Sequence, residues 1–242
     1  MKQISEINVP KLLMFDYGGT LDTNGIHWSE VIWSQYQNEN VPIDKEQFKE
    51  CYVHAERELA RNHIIEPDDS FLDLLRKKIN IQTLYLVEKG MWSPAEVARR
   101  AVTEHISLRC NVVVQRNIDR IRPMLSELSQ KYRIVLVSNF YGNLKTVLKE
   151  YGLNIFETVV ESALVGIRKP DPKIYGLALE MTGVNNDEAV IIGDSLKNDI
   201  TPASQLGCKS FWLQGKGWDD EKKTTVIPCQ IINDLVELKN YL

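Results

Sequence analysis

Five short apolar runs constrain the fold of this chain more than any other feature. They are LLMF (Leu12 to Phe15), IVLV (Ile134 to Val137), TVV (Thr158 to Val160), AVII (Ala189 to Ile192) and FWL (Phe211 to Leu213). None alternates with polar residues. A strand that reads this way is buried on both faces, as in a parallel sheet with helices on each side. From Ile134 onward the runs alternate with helix-like stretches: Tyr141 to Tyr151, Pro172 to Met181 and Asp199 to Leu206. Pro202 is tolerable in the last of these only in its first turn. This alternation predicts an α/β fold with a doubly wound parallel sheet.

The segment from Ile26 to Asn117 reads differently. Trp28-Val31-Ile32-Gln35-Tyr36, Phe71-Leu74-Leu75 and Val97-Ala101-Val102 each place their residues on one helical face. Helix starts are marked at Ser70 and at Ser93-Pro94 with Glu96. Asn111-Val112-Val113-Val114 is the one strand-like interruption and reads as linker or packing material. An all-helical insertion of roughly ninety residues therefore follows the first strand, and on a binding-face loop that is the size of a lid or specificity domain. The expected division is a core of residues 1–24 and 118–242 with a cap of residues 25–117.

Charge and cysteine usage exclude several classes. With 29 basic and 33 acidic residues the net charge is -4, and no basic clustering suggests a nucleic-acid surface. Arg76-Lys77-Lys78 and Lys222-Lys223 read as solvated faces. Cys51, Cys110, Cys208 and Cys229 lie far apart, which favours a reducing compartment over disulfides or zinc. The opening MKQISEINVPK has no apolar signal-peptide region, and no run approaches the ~20 residues of a membrane span. A cytoplasmic protein without nucleic-acid or membrane partners is expected; the oligomeric state is left open.

Four chemical signals fall at strand ends or in the loops beyond them, where open α/β sheets bind ligands. Asp16 follows LLMF, Ser138-Asn139 follows IVLV, Lys169 lies in GIRKPDP, and Asp194 and Asp199 lie in GDSLKND after AVII. Each alone is an ordinary cap or surface residue; in order, they suit phosphoryl transfer to a carboxylate. Asp16 can be the nucleophile. Asp16 and Asp194 can share Mg²⁺, a hard cation that keeps waters and substrate oxygens. Ser138 and nearby backbone N–H groups can hold phosphate oxygens, and Lys169 adds a compact positive charge. Gly18 and Gly19 allow a tight turn with backbone close to the ligand, and Thr20 can bond the turn or Asp16. Gly19, Thr20 and Asn139 complete the expected substrate contacts.

Together FDYGGTLD, LVSNF, RKPDP and IIGDSLKND resemble the four motifs of the haloacid dehalogenase (HAD) superfamily, in order and over essentially the whole chain. The resemblance implies a Rossmann-like core with strand order 5-4-1-2-3 and a helical cap after the first motif. It implies a nucleophile at Asp16, phosphate contact at Ser138, the lysine role at Lys169 and metal ligation at Asp194. It adds the Gly18 carbonyl as a metal ligand and places Asp199 beside the metal or one water away.

One departure matters. Phosphatases of this family usually carry an aspartate two residues after the nucleophile, which protonates the leaving group and then activates water. Here that position is Gly18. General acid–base help is worth typically ~10²–10⁴-fold. The expected activity is Mg²⁺-dependent hydrolysis of a small phosphorylated metabolite. The residues also admit a 2-haloacid dehalogenase, a phosphonatase or a poorly catalytic regulatory protein. A phosphonatase needs a cap lysine, for which Lys45 and Lys49 are candidates. His27, at the entry to the cap, is a candidate replacement acid. Arg57, Arg61 and Arg99 are candidate readers of a substrate anion.

Overall fold

The computed structural model describes residues 9–216 and 228–242; Lys222-Lys223 lies outside the described residues. Its centre is a six-stranded parallel sheet of β1 (Leu12–Phe15), β2 (Arg133–Ser138), β3 (Thr158–Glu161), β4 (Ala189–Gly193), β5 (Lys209–Leu213) and β6 (Gln230–Ile232). The spatial order is β3-β2-β1-β4-β5-β6. The expected order of the first five strands is thus observed. The sequence reading missed β6, a three-residue edge strand, too short to register as a run.

Continuous apolar strands are explained by two buried faces. Leu13 and Phe15 of β1 point into one core cluster, and Leu12 and Met14 into the other. The same two-residue alternation splits Ile134 and Leu136 from Val135 and Val137, and Val190 and Ile192 from Ala189 and Ile191. On one side pack α6 (Lys173–Thr182) and α7 (Thr201–Leu206). On the other side lie α5 (Leu144–Glu150), part of a long helix α4 (Glu96–Lys131) and the inserted helices.

The insertion comprises α1 (Trp28–Asn38), α2 (Lys45–Arg61), α3 (Phe71–Glu88) and the first half of α4. Asp44 starts α2 and Ser70 starts α3, each with a reciprocal capping box that satisfies two end N–H groups. The α1 and α3 faces are buried as their spacing predicts.

Five local expectations differ from the structure. Helix α4 starts at Glu96 behind Ala95, without a side-chain cap, so Ser93-Pro94 lies outside it. Its inward face is Arg99, Thr103, Ile106, Cys110 and Val114, while Val97 is exposed. Asn111 to Val114 is not strand-like: helical neighbours on both sides carry the β-branched run through as helix. Because α4 is one 36-residue helix, the proposed boundary at 117/118 falls inside an unbroken element. The helix expected from Tyr141 starts only at Leu144, because Glu161 binds the backbone N–H groups of Gly142 and Leu144 and holds the preceding turn open.

Arg76-Lys77-Lys78 is not a solvated face either. Arg76 pairs with Glu104 and Asp73, Lys77 pairs with Asp69, and Lys78 is 5% exposed. All four cysteines are free thiols. Among the described residues no helix is long and apolar enough to cross a membrane.

Candidate active site

Asp16 leaves the C-terminal end of β1 in extended conformation, its N–H tied to the Ile192 carbonyl (2.9 Å). A turn, Tyr17–Leu21, follows, with non-helical backbone at Gly18 and Gly19. Ser138 Oγ donates to Asp16 Oδ1 at 3.2 Å, and Lys169 Nζ donates to the same oxygen at 2.6 Å. Lys169 Nζ also reaches Asp199 Oδ1 at 2.8 Å, which accepts the Tyr175 hydroxyl at 2.8 Å. Thr20 Oγ1 lies 3.3 Å from Asp16 Oδ2 and 3.0 Å from Asp194 Oδ1, and accepts the Asp194 N–H at 3.1 Å. Its one proton serves one carboxylate at a time.

Asp16, Asp194 and Asp199 each offer a carboxylate oxygen, all within 4.8 Å of one another. Burial raises the Asp16 pKa; Lys169 opposes that and Asp199 adds to it. Burial, then Asp16 and Asp199, push Asp194 well above the carboxylate range. Burial alone would lower the Lys169 pKa, but Asp16 and Asp199 hold it raised, so the amine stays charged. One lysine thus faces three crowded acids. Such a hard-oxygen set fits a small divalent cation, which would relieve the repulsion between Asp16 and Asp194.

The two glycines differ in kind. Gly19 has φ +93°, and a Cβ there would lie 2.4 Å from Asp194 Oδ2, so only glycine fits. Its N–H donates to Asp22 Oδ1 at 2.7 Å. Gly18 has ordinary backbone (φ -75°, ψ 114°), and a Cβ there meets no atom within 4 Å. That space belongs to a cavity of about 600 Å³ between cap and core.

Asn139 lines the cavity and also clamps the loop: its amide donates to the Lys169 carbonyl (3.1 Å) and accepts the Lys169 N–H (2.9 Å). His27 caps α1, accepting the Ser29 N–H at 3.1 Å, and lines the cavity. Arg61 lines it too, while Arg57 is exposed elsewhere and Arg99 is buried against Glu96, Asn80 and Thr83. Lys45 pairs with Glu30. The cap lysine that does line the cavity is Lys78, which sequence reasoning placed in solvent. Tyr175 was also missed; its partner is 24 residues away and no local pattern marks it. Asp22, fully buried, also accepts Trp28 Nε1 at 2.7 Å.

The haloacid dehalogenase-like hydrolase family model matches residues 10–207. The chain belongs to that family. A glyceraldehyde 3-phosphate phosphatase of Pyrococcus abyssi is 33% identical over 90 residues, 37% of this chain and 38% of the relative. The chain spans between 25% and 43% of the length of the first curated relatives it matches. Among solved structures, a dehalogenase determined with an intermediate complex superposes with TM-score 0.64 at 17% identity, over 98% of each chain. The HAD-hydrolase YfnB of Bacillus subtilis, solved bound to magnesium, gives TM-score 0.58 at 18% identity, over 97% of this chain and 99% of its own. These structural likenesses establish the fold, a HAD α/β core with a helical insert.

Proposed function

We propose that the chain is a Mg²⁺-dependent phosphatase of small phosphorylated metabolites. The observation that carries this reading is the group of buried Asp16 and Asp199 and half-buried Asp194 around Lys169, with Ser138 bonded to the first. Asp16 attacks phosphorus, the ester oxygen leaves, and water later cleaves the aspartyl-phosphate on Asp16. Asp16, Asp194 and the Gly18 carbonyl would hold the cation, with Asp199 beside it or through water. When bound, it would supply charge neutralisation for an anionic nucleophile meeting an anionic phosphate. Lys169 screens the same repulsion, fixed by Asp199 and by the Asn139 clamp on its backbone. Ser138, Thr20 and the turn at Gly19 contact the transferred phosphate.

The relatives' names support a phosphate ester as substrate: besides the Pyrococcus phosphatase they include a phosphoserine phosphatase of Thermus thermophilus. The acidic cluster argues against a dehalogenase, whose carboxylate substrate these acids would repel. A phosphonatase needs an uncharged cap amine. Burial would lower the Lys78 pKa, but Glu56 holds it well above the ordinary lysine value, so Lys78 stays protonated. Gly18 favours one second reading, a protein that binds phosphate and turns over poorly.

A screen of phosphate esters, phosphonoacetaldehyde and 2-haloacids with and without Mg²⁺ decides among these. Phosphate release that needs Mg²⁺ is expected. Halide release without metal would overturn the proposal. Tight phosphate and Mg²⁺ binding without turnover would favour the second reading.

A further inference from the structure

The cavity that Gly18, Gly19 and Asn139 line, beside Asp16 and Ser138 in the chain, also holds a polar cluster outside the catalytic group. Lys78 of α3 forms an ion pair with Glu56 of α2; the lysine side chain is 6% exposed and the glutamate 33%. Tyr141, on the core loop just past Ser138, donates its hydroxyl to Glu56 Oε2 at 2.8 Å. Lys78 Nζ lies 3.4 Å from the Tyr141 hydroxyl, 5.3 Å from the Tyr52 ring centre and 5.8 Å from that of Tyr141. All four residues line the same cavity as Gly18.

Both members of the pair are ionised. Burial would lower the Lys78 pKa and raise that of Glu56, but each charge reverses the effect on the other. The cluster is therefore neutral overall. To the cavity it offers a carboxylate acceptor beside an ammonium donor, between two aromatic faces. The other basic side chains lining the cavity, Arg61, His63 and Arg168, are exposed, and His27 is half-buried at the α1 start. Exposed cations favour entry of a phosphate dianion but are strongly screened. At the depth of Lys78 an incoming anion finds the cation already taken and a carboxylate beside it.

We infer that Glu56, Lys78, Tyr52 and Tyr141 form the leaving-group subsite, and that it selects phosphate esters of uncharged polyhydroxy alcohols over phosphorylated carboxylic acids. A neighbouring donor and acceptor match adjacent hydroxyls of a sugar, and the rings match its apolar face. A cavity of about 600 Å³ has room for a sugar phosphate or a nucleoside monophosphate. The inference rests on phosphatase chemistry at Asp16. Glu56 is a specificity determinant by charge, not only by shape.

The test compares kcat/KM for a pentose phosphate and a nucleoside monophosphate with that for phosphoglycolate and phosphoglycerate. Wild type should prefer the first pair by roughly tenfold or more, from like-charge exclusion of the second. Glu56→Gln keeps the side-chain shape and removes the charge. It should move the preference toward the acids by about the same factor. Sugar and nucleotide arms separate the two sources of a polyol. A wild-type preference for the acids, or equal losses on both classes in Glu56→Gln, would overturn the inference. Calorimetric binding of the uncleaved esters to Asp16→Asn in Mg²⁺ gives the ranking without turnover, and equal affinities would also overturn it. If no ester is cleaved, p-nitrophenyl phosphate included, the phosphatase reading fails, and the binding ranking still decides the subsite.

Discussion

Replacing Gly18 by aspartate should turn a slow phosphatase into a fast one. The backbone there is ordinary and an added Cβ meets nothing within 4 Å, so the carboxyl enters the cavity without displacing protein. It arrives two residues from Asp16, against a site already crowded by Asp194. Those charges raise the pKa of the new carboxyl, which suits a group that must first donate a proton. General acid–base assistance of ~10²–10⁴-fold corresponds to about 2.7 to 5.4 kcal/mol of barrier at 1.36 kcal/mol per tenfold. The gain should depend on the leaving group. An alkyl phosphate expels a strongly basic alkoxide and should gain most, while p-nitrophenyl phosphate expels a stable anion and should gain little in the first step. The assay is kcat/KM on both, for wild type, Gly18→Ala and Gly18→Asp. Equal changes on the two substrates would refute the proton-transfer reasoning. A loss in Gly18→Ala would mean that the open space is occupied by substrate during the reaction.

Three further outcomes follow from the same geometry. Asp16→Asn should lower activity on the order of 10⁴-fold or more, and retained turnover would remove the nucleophile assignment. Gly19→Ala drives a Cβ against the Asp194 carboxylate at a backbone angle that alanine rarely adopts. Calorimetry should therefore find weakened Mg²⁺ binding together with lost activity, and wild-type affinity would contradict the packing. Burial pushes the Asp22 carboxyl up to about 7, against ~3.9 unfolded, so between those values the folded chain holds a proton that the unfolded chain has released. Stability should fall by about 1.4 kcal/mol per pH unit across that window and level off above it. Asp22→Asn should flatten that slope in thermal melts, and parallel curves for the two proteins would count against a titrating Asp22.

What could be read in the sequence was whatever short-range pattern determines. Two-sided burial makes a strand uniformly apolar, so LLMF and AVII declared themselves, as did the helix that Ser70 caps through Asp73. What could not be read depends on distant neighbours. Lys78 lies in a basic triplet that looks solvated, and only the arrival of Glu56 and Tyr141 from other elements makes it a buried ion pair. Asn139 was legible as the neighbour of Ser138, but not as a clamp on the Lys169 backbone, 30 residues on. Asn111 to Val114 has strand-like residues but sits in the middle of a 36-residue helix, where the packing of Cys110, Val114 and Ile118 overrides propensity.

The sheet order explains why residues so far apart in sequence can act together. β1 lies between β2 and β4, where successive connections go to opposite sides, and a crevice opens there beyond the carboxyl ends of the strands. Asp16 from β1 therefore finds Ser138 from β2 on one side and Asp194, just past β4, on the other, although 122 residues separate it from the first and Thr20 is 174 from the last. Lys169 and Asp199 come from loops that need only reach the same crevice, and their 2.8 Å contact ties those loops together. A polar cluster this dense would be costly inside a sheet, where each group loses water on both sides. At the crevice its members satisfy one another, and the neighbouring Gly18, Gly19 and Asn139 line the cavity. The departure at Gly18 falls on the cavity lining. Its loss of a carboxyl leaves Asp16, Ser138, Lys169 and Thr20 bonded as they are, which is why restoring the carboxyl tests chemistry rather than folding.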